Sequence, residues 1–163
     1  MRMFNYDNKY KLAICLNGHE YDAYVGLEET VDKFCPKCGE RIITECPHCN
    51  AFIPGYVEYD GVISNWNGPH EAYCETCGNP LPWTERTLSA ASDLIGLSDL
   101  SDSEKRGLDG SIKDLVTDSP RSSAAVARIK ILSSKIGSTV MNGLRDVLVD
   151  VLSEATKKAI WGA

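Results

Sequence analysis

Seven cysteines and three histidines carry the only concentrated chemistry in this 163-residue chain, and all of them lie before residue 84. Six of the cysteines form three Cys-x-x-Cys pairs: CPKC at Cys35 and Cys38, CPHC at Cys46 and Cys49, and CETC at Cys74 and Cys77. In isolation, CPHC is what the active site of an oxidising thioredoxin-type oxidoreductase looks like, where a histidine and a helix N-terminus lower a thiol pKa. It is equally half of a metal knuckle, with its sulfurs unreactive. The neighbouring residues decide between the two.

Cys15 stands outside the pairs, but CLNGH places His19 four residues after it, across an Asn-Gly turn. With His19 the set becomes eight ligands in four pairs, which fills two tetrahedral sites and leaves no cysteine over. One Cys-x-x-Cys is a weak signal, whereas four half-sites that sum to eight are specific. Pairing in order gives Cys15, His19, Cys35 and Cys38 as one site and Cys46, Cys49, Cys74 and Cys77 as the other. The alternative is an interleaved brace joining Cys15 and His19 to Cys46 and Cys49. Sequential pairing is favoured, because the ligand order lacks the tight central Cys-x-His-x-x-Cys of a RING finger.

A Gly or Asn follows each pair: Gly39, Asn50 and Gly78. A chain that folds two thiolates onto one metal needs φ > 0 at that point, which Gly and Asn tolerate best. Four residues past each second cysteine stands an apolar residue, Ile42, Ile53 or Leu81, expected to cap the site. His48, between two ligating sulfurs, reads as a bystander, and His70 as a loop histidine.

The elements that must position these ligands are short. KLAI, YDAYV and ERIIT read as strands flanking the knuckles, the architecture of a zinc ribbon. Pro54, Gly55 and an Asp60-Gly61 hairpin signal follow CPHC where a thioredoxin-type site needs a long helix. Four thiolates, or three with an imidazole, select zinc, with iron as the alternative for the same geometry. Two Zn2+ ions are therefore expected, both structural, since neither site keeps an open position. Tyr56, Tyr59 and Trp66 read first as cover for a thin core and second as a recognition surface.

Beyond Trp83 the composition changes. Residues 1–83 hold 6 Lys and Arg against 12 Asp and Glu, and residues 84–163 hold 11 of each. The break predicts a tandem zinc-ribbon domain over 1–83 and a helical domain of three to four helices over 84–163, an α+β chain. Thr84 is the expected N-cap of a helix over 85–96, and SDSE is a capping box at Ser101 for a helix ending near Val116. Ser119 and Pro120 are expected at N-cap and N1 of a third helix. Ile129, Leu132, Ile136, Val140, Leu144, Val147 and Val151 then form one apolar stripe, with Gly137 and Gly143 as points where it kinks or splits. Ser153 in SEAT caps a further short helix.

The strings CLNGH, CPKCG, CPHC and YCETCGNPLPWTE, with LSEATKK near the end, resemble an uncharacterised family of bacterial double zinc-ribbon proteins. The resemblance spans most of the chain and implies the same eight metal positions and a bacterial cytoplasmic protein. It implies no activity.

Several function classes are weakened by composition. No apolar run is long enough for a membrane span, and the start lacks an apolar h-region, so a cytoplasmic, reducing compartment is expected. No nucleophile elbow, phosphate-binding glycine loop or open metal site argues for an enzyme. Acid pairs such as Glu28-Glu29 read as solvated surface. The favoured reading is a zinc-binding adaptor or scaffold that docks a protein partner or a second copy of itself. The alternative is nucleic-acid binding through a basic helix at 119–145, where Arg121, Arg128, Lys130, Lys135 and Arg145 meet no acidic residue. The acidic ribbon half, with thiolate-rich sites that stay negative when metal-bound, disfavours it. Membrane-surface binding by the amphipathic C-terminal helix ranks lower still.

Overall fold

The computed structural model describes residues 8–31, 33–58 and 71–162. The chain divides into two compact units, Met1–Trp83 and Thr84–Ala163. The first is a small antiparallel sheet with three knuckles, the second is helical, and the class is α+β.

In the first unit, β1 (Asn8–Cys15) is central. It pairs antiparallel with β2 (Glu20–Val25), with Lys11 opposite Val25 and Ile14 opposite Glu20. Its last residues meet the two-residue β3 (Ile42–Ile43), with Ile14 opposite Ile43. Its first half meets β4 (Pro54–Glu58), with Lys9 opposite Val57. The expected ERIIT strand therefore contracts to its two isoleucines, because the residues on either side close knuckles. β4 falls where Pro54 and Gly55 read as β and loop chemistry and not as helix. Gly55 permits it: a Cβ there would lie 2.5 Å from the Ala23 carbonyl and 2.7 Å from that of Lys11. The absent side chain lets three backbones approach.

Two small cores result. Leu12, Ile14, Ile53, Leu81 and Trp83 pack with Cys46 and Cys74, while Ala13, Val25 and Ile42 pack with Cys15 and Cys35. Each core is built around the cysteines of one knuckle set.

The first helix, α1 (Pro82–Gly96), spans the boundary between the units and starts three residues before the expected 85–96 helix. Pro82 occupies the first helical position, where its missing N–H costs nothing, and Thr84 is buried inside the helix instead of capping it. α2 (Asp102–Val116) carries the expected capping box, with Ser101 Oγ accepting from the Glu104 N–H. The third helix begins later than its proline suggests. α3 (Ser122–Ile136) has Arg121 at N-cap with no side-chain cap, while Ser119 Oγ accepts the Arg121 N–H at 3.1 Å in the preceding turn.

The apolar stripe is split at Gly137, whose φ is 84°, so that α4 (Ser138–Leu148) is a separate helix. Gly143 lies inside α4 unbroken. The break resets the helical phase, and α4 buries Leu144 and Leu148 while Val140 and Val147 stay half-buried. Ser153 caps α5 (Glu154–Trp161), with its hydroxyl 3.2 Å from the Thr156 N–H. Arg128 of the basic segment ties α3 to α2, donating to the Gly107 carbonyl at 3.1 Å and to Ser111 Oγ at 3.0 Å. No helix among the described residues is long and apolar enough to cross a membrane.

Candidate metal centres

Three knuckles with one backbone pattern carry six of the eight candidate ligands. In each, the N–H of the residue after the second cysteine returns to the carbonyl of the first. Gly39 bonds Cys35 at 2.8 Å, Asn50 bonds Cys46 at 2.8 Å, and Gly78 bonds Cys74 at 2.9 Å. The N–H of each first cysteine closes the turn on the carbonyl of Glu40, Ala51 or Asn79. The return requires a left-handed residue, and φ is 75° at Gly39, 58° at Asn50 and 74° at Gly78. Ile42, Ile53 and Leu81 are all buried beside the turns they follow. Their N–H groups bond the carbonyls of Lys33, Thr44 and Ala72, which fixes the apolar residue relative to its knuckle.

The fourth half-site is built differently. Cys15 ends β1, and Gly18 at φ 88° turns the chain into β2. The Cys15 N–H bonds the His19 carbonyl at 3.0 Å, and the His19 N–H points at Cys15 Sγ at 3.3 Å. One strand turn thus delivers both ligands.

The structure gathers the ligands in sequential order. Cys15, His19, Cys35 and Cys38 form one set and Cys46, Cys49, Cys74 and Cys77 the other, with the donor atoms of each set within 4.8 Å of one another. In the first, Cys15 Sγ lies 3.7 Å from Cys38 Sγ. His19 Nδ1 lies 3.5 Å from Cys15 Sγ and 3.7 Å from Cys35 Sγ, so Nδ1 is the ring nitrogen facing the sulfurs. In the second, Cys46 and Cys77 are separated by 3.8 Å and Cys49 and Cys74 by 3.7 Å, sulfur to sulfur.

These separations decide what the sets can hold. A disulfide requires sulfurs about 2.05 Å apart, and all seven cysteines are free. A tetrahedral metal with thiolate bonds of about 2.3 Å places its sulfurs about 3.8 Å apart, and an imidazole nitrogen slightly closer to them. The distances fit that tetrahedron in both sets, so each can hold one metal ion.

Local electrostatics favour the ligating, deprotonated state at the exposed corners. The Asn79 N–H and the Asn79 side-chain amide, 3.4 Å from the sulfur, draw the Cys77 thiol down to about 6. At Cys38, the Glu40 N–H holds the thiol below its usual value. Burial pushes Cys15 the other way. Asn79 escaped the sequence reading; its signal is its position two residues after the last cysteine of CETCGN.

His48 is exposed on its knuckle and belongs to neither ligand set. His70, Tyr59, Trp66 and the Asp60-Gly61 pair lie outside the described residues. Tyr56 stands on β4, its ring 4.8 Å from that of Tyr24 and 6.3 Å from that of Tyr10. Together the three tyrosines form a partly exposed cluster over the sheet.

No curated protein and no solved structure matches the chain. Residues 8–160 do match the model of a family described as an uncharacterized protein conserved in bacteria (DUF2321), and the chain belongs to that family.

Proposed function

We propose that both ligand sets hold Zn2+ and that the protein is a non-enzymatic adaptor, a metal-pinned ribbon joined to a helical docking module. The carrying observation is the closed geometry: four protein donors converge in each set, within 4.8 Å of one another. Three thiolates with an imidazole, or four thiolates, are a zinc donor set. Four protein ligands complete a tetrahedral ion and leave it no position for substrate, so the metal acts on the fold. In cores this small, a structural zinc contributes apparent folding free energy on the order of 10 kcal/mol. The separated, unbonded sulfurs suit a reducing, cytoplasmic setting.

A protein partner is favoured over nucleic acid by the fate of the basic segment. Arg128 is engaged with α2 through Gly107 and Ser111, and Lys135 with Glu104. These contacts reduce the cations available to a run of phosphates.

Elemental analysis of the purified chain should find two zinc ions per molecule. A thiol reagent should leave Cys46 and Cys49 unmodified until a chelator is added. For the adaptor role, gentle affinity purification followed by mass spectrometry is decisive. Recovery of a stoichiometric partner or of a defined oligomer supports it. A monomer recovered alone removes it, and a salt-dependent gel shift would restore nucleic-acid binding in its place.

A further inference from the structure

Lys11 is an unusual lysine. Only 4% of its surface is exposed, and its ammonium donates to the Glu29 carbonyl at 2.6 Å. The Phe52 ring lies beside it, 4.9 Å from nitrogen to centroid. No carboxylate among the described residues pairs with it. Lysine is almost never buried to this degree unless paired, because an uncompensated interior charge costs several kcal/mol. One carbonyl and one ring face also leave donor capacity on an ammonium with three N–H groups.

Lys11 lines a cleft of about 410 Å³ between the segment after β2 and the segment that leads into the CPHC knuckle. Arg41 lines the same cleft, exposed and likewise without a carboxylate partner among the described residues. Thr30, Val31, Ile43 and Thr44 line it as well. Of the two acids present, Glu29 keeps its negative charge while its carboxylate accepts the Gly26 N–H at 2.9 Å. Glu45 remains at the rim.

We propose that this cleft binds a small organic monocarboxylate. Its carboxylate accepts from Lys11 and Arg41, and its apolar body lies against Val31 and Ile43. The two cations offset Glu29 and Glu45, so the lining is formally neutral: it takes at most one added negative charge beside Lys11 and Arg41, and it opposes a second. A monoanion therefore fits better than a phosphate.

The test is titration of the zinc-loaded full-length protein with isobutyrate and, separately, with inorganic phosphate, following backbone amide shifts by NMR. Saturable isobutyrate shifts are expected at Thr30 and Thr44, with phosphate weaker by at least tenfold. Lys11→Met and Arg41→Ala should each weaken isobutyrate by about tenfold or more, the loss of one charge-assisted hydrogen bond at about 1.4 kcal/mol per tenfold. Arg41 is exposed, so its variant keeps the test open even if Lys11→Met misfolds. Absence of saturation, or unchanged affinity in Arg41→Ala, overturns the proposal. Phosphate binding as tight as isobutyrate overturns the assignment to a monocarboxylate.

Discussion

The ammonium of Lys135, in the last turn of α3, lies 2.7 Å from the carboxylate of Glu104, in the first turn of α2. The other Glu104 oxygen accepts the Ser101 N–H at 2.9 Å, so one side chain closes a helix cap and joins two helices. Lys135 and the Ser101 N–H together hold the Glu104 carboxyl below its usual value. A carboxyl with a depressed folded pKa contributes stability above its unfolded pKa and loses it as pH falls through the folded one. Glu104→Gln should therefore lower the thermal midpoint of the helical unit at neutral pH. The two proteins should converge by about pH 2, well below the carboxylate range. A gap that persists there would place the effect in packing and not in charge.

Metal removal should act on one unit. Chelation at neutral pH is expected to unfold the ribbon while the far-UV helical signal of α2 to α5 persists, because both cores of the first unit contain ligand cysteines. Metal affinity should also fall as pH is lowered, since protons compete for the thiolates and the imidazole. Circular dichroism with parallel zinc determination reads both effects. Loss of helix in step with zinc would contradict the expectation.

Asn50 is the one knuckle turn built without glycine, at φ 58°. Asn50→Gly should preserve metal retention and stability to within a few tenths of a kcal/mol. Asn50→Val, which forces a β-branched residue into the left-handed region, should cost about 1–2 kcal/mol. Denaturant titration of the zinc-loaded protein measures both. Gly39 and Gly78 have open space around a built Cβ, so alanine there tests backbone conformation alone.

Gly55 tests the opposite cause. It lacks a positive φ, but a Cβ would stand 2.5 Å from the Ala23 carbonyl. Gly55→Ala should destabilise the ribbon by about 1–3 kcal/mol or more, since backbone and not a flexible side chain must move. An unaffected denaturation midpoint would show that β4 can lift from β1 without cost.

The features legible in the sequence are those set by a few adjacent residues. The knuckle is one such feature: two cysteines, a Gly or Asn, and an apolar residue at fixed offset specify ligand, turn and anchor within eight positions. The Ser101 capping box, the Ser153 cap and the Gly137 break are local in the same sense. The bounds of β4 were not legible because its strand character comes from pairing with β1 across more than forty residues, and the need for Gly55 shows only where the backbones cross. The burial of Lys11 is likewise tertiary, since it depends on the Glu29 carbonyl reaching it. The start of α3 was misplaced because a proline signals an N1 position only when the next residues continue the helix, and here a Ser119-centred turn intervenes.

Each knuckle closes on its own backbone, so the two halves of a site need only meet, not be joined by a particular length of chain. Between Cys49 and Cys74 the sequence is therefore freed from setting ligand geometry, once β4 has paired. As a general rule, doubling the length of a connection adds only about 0.6 kcal/mol of closure entropy. A peptide inserted between Glu58 and Glu71 should leave the tetrahedron intact. This stretch is where the protein can gain length, and with it new surface, without redesigning its clasps.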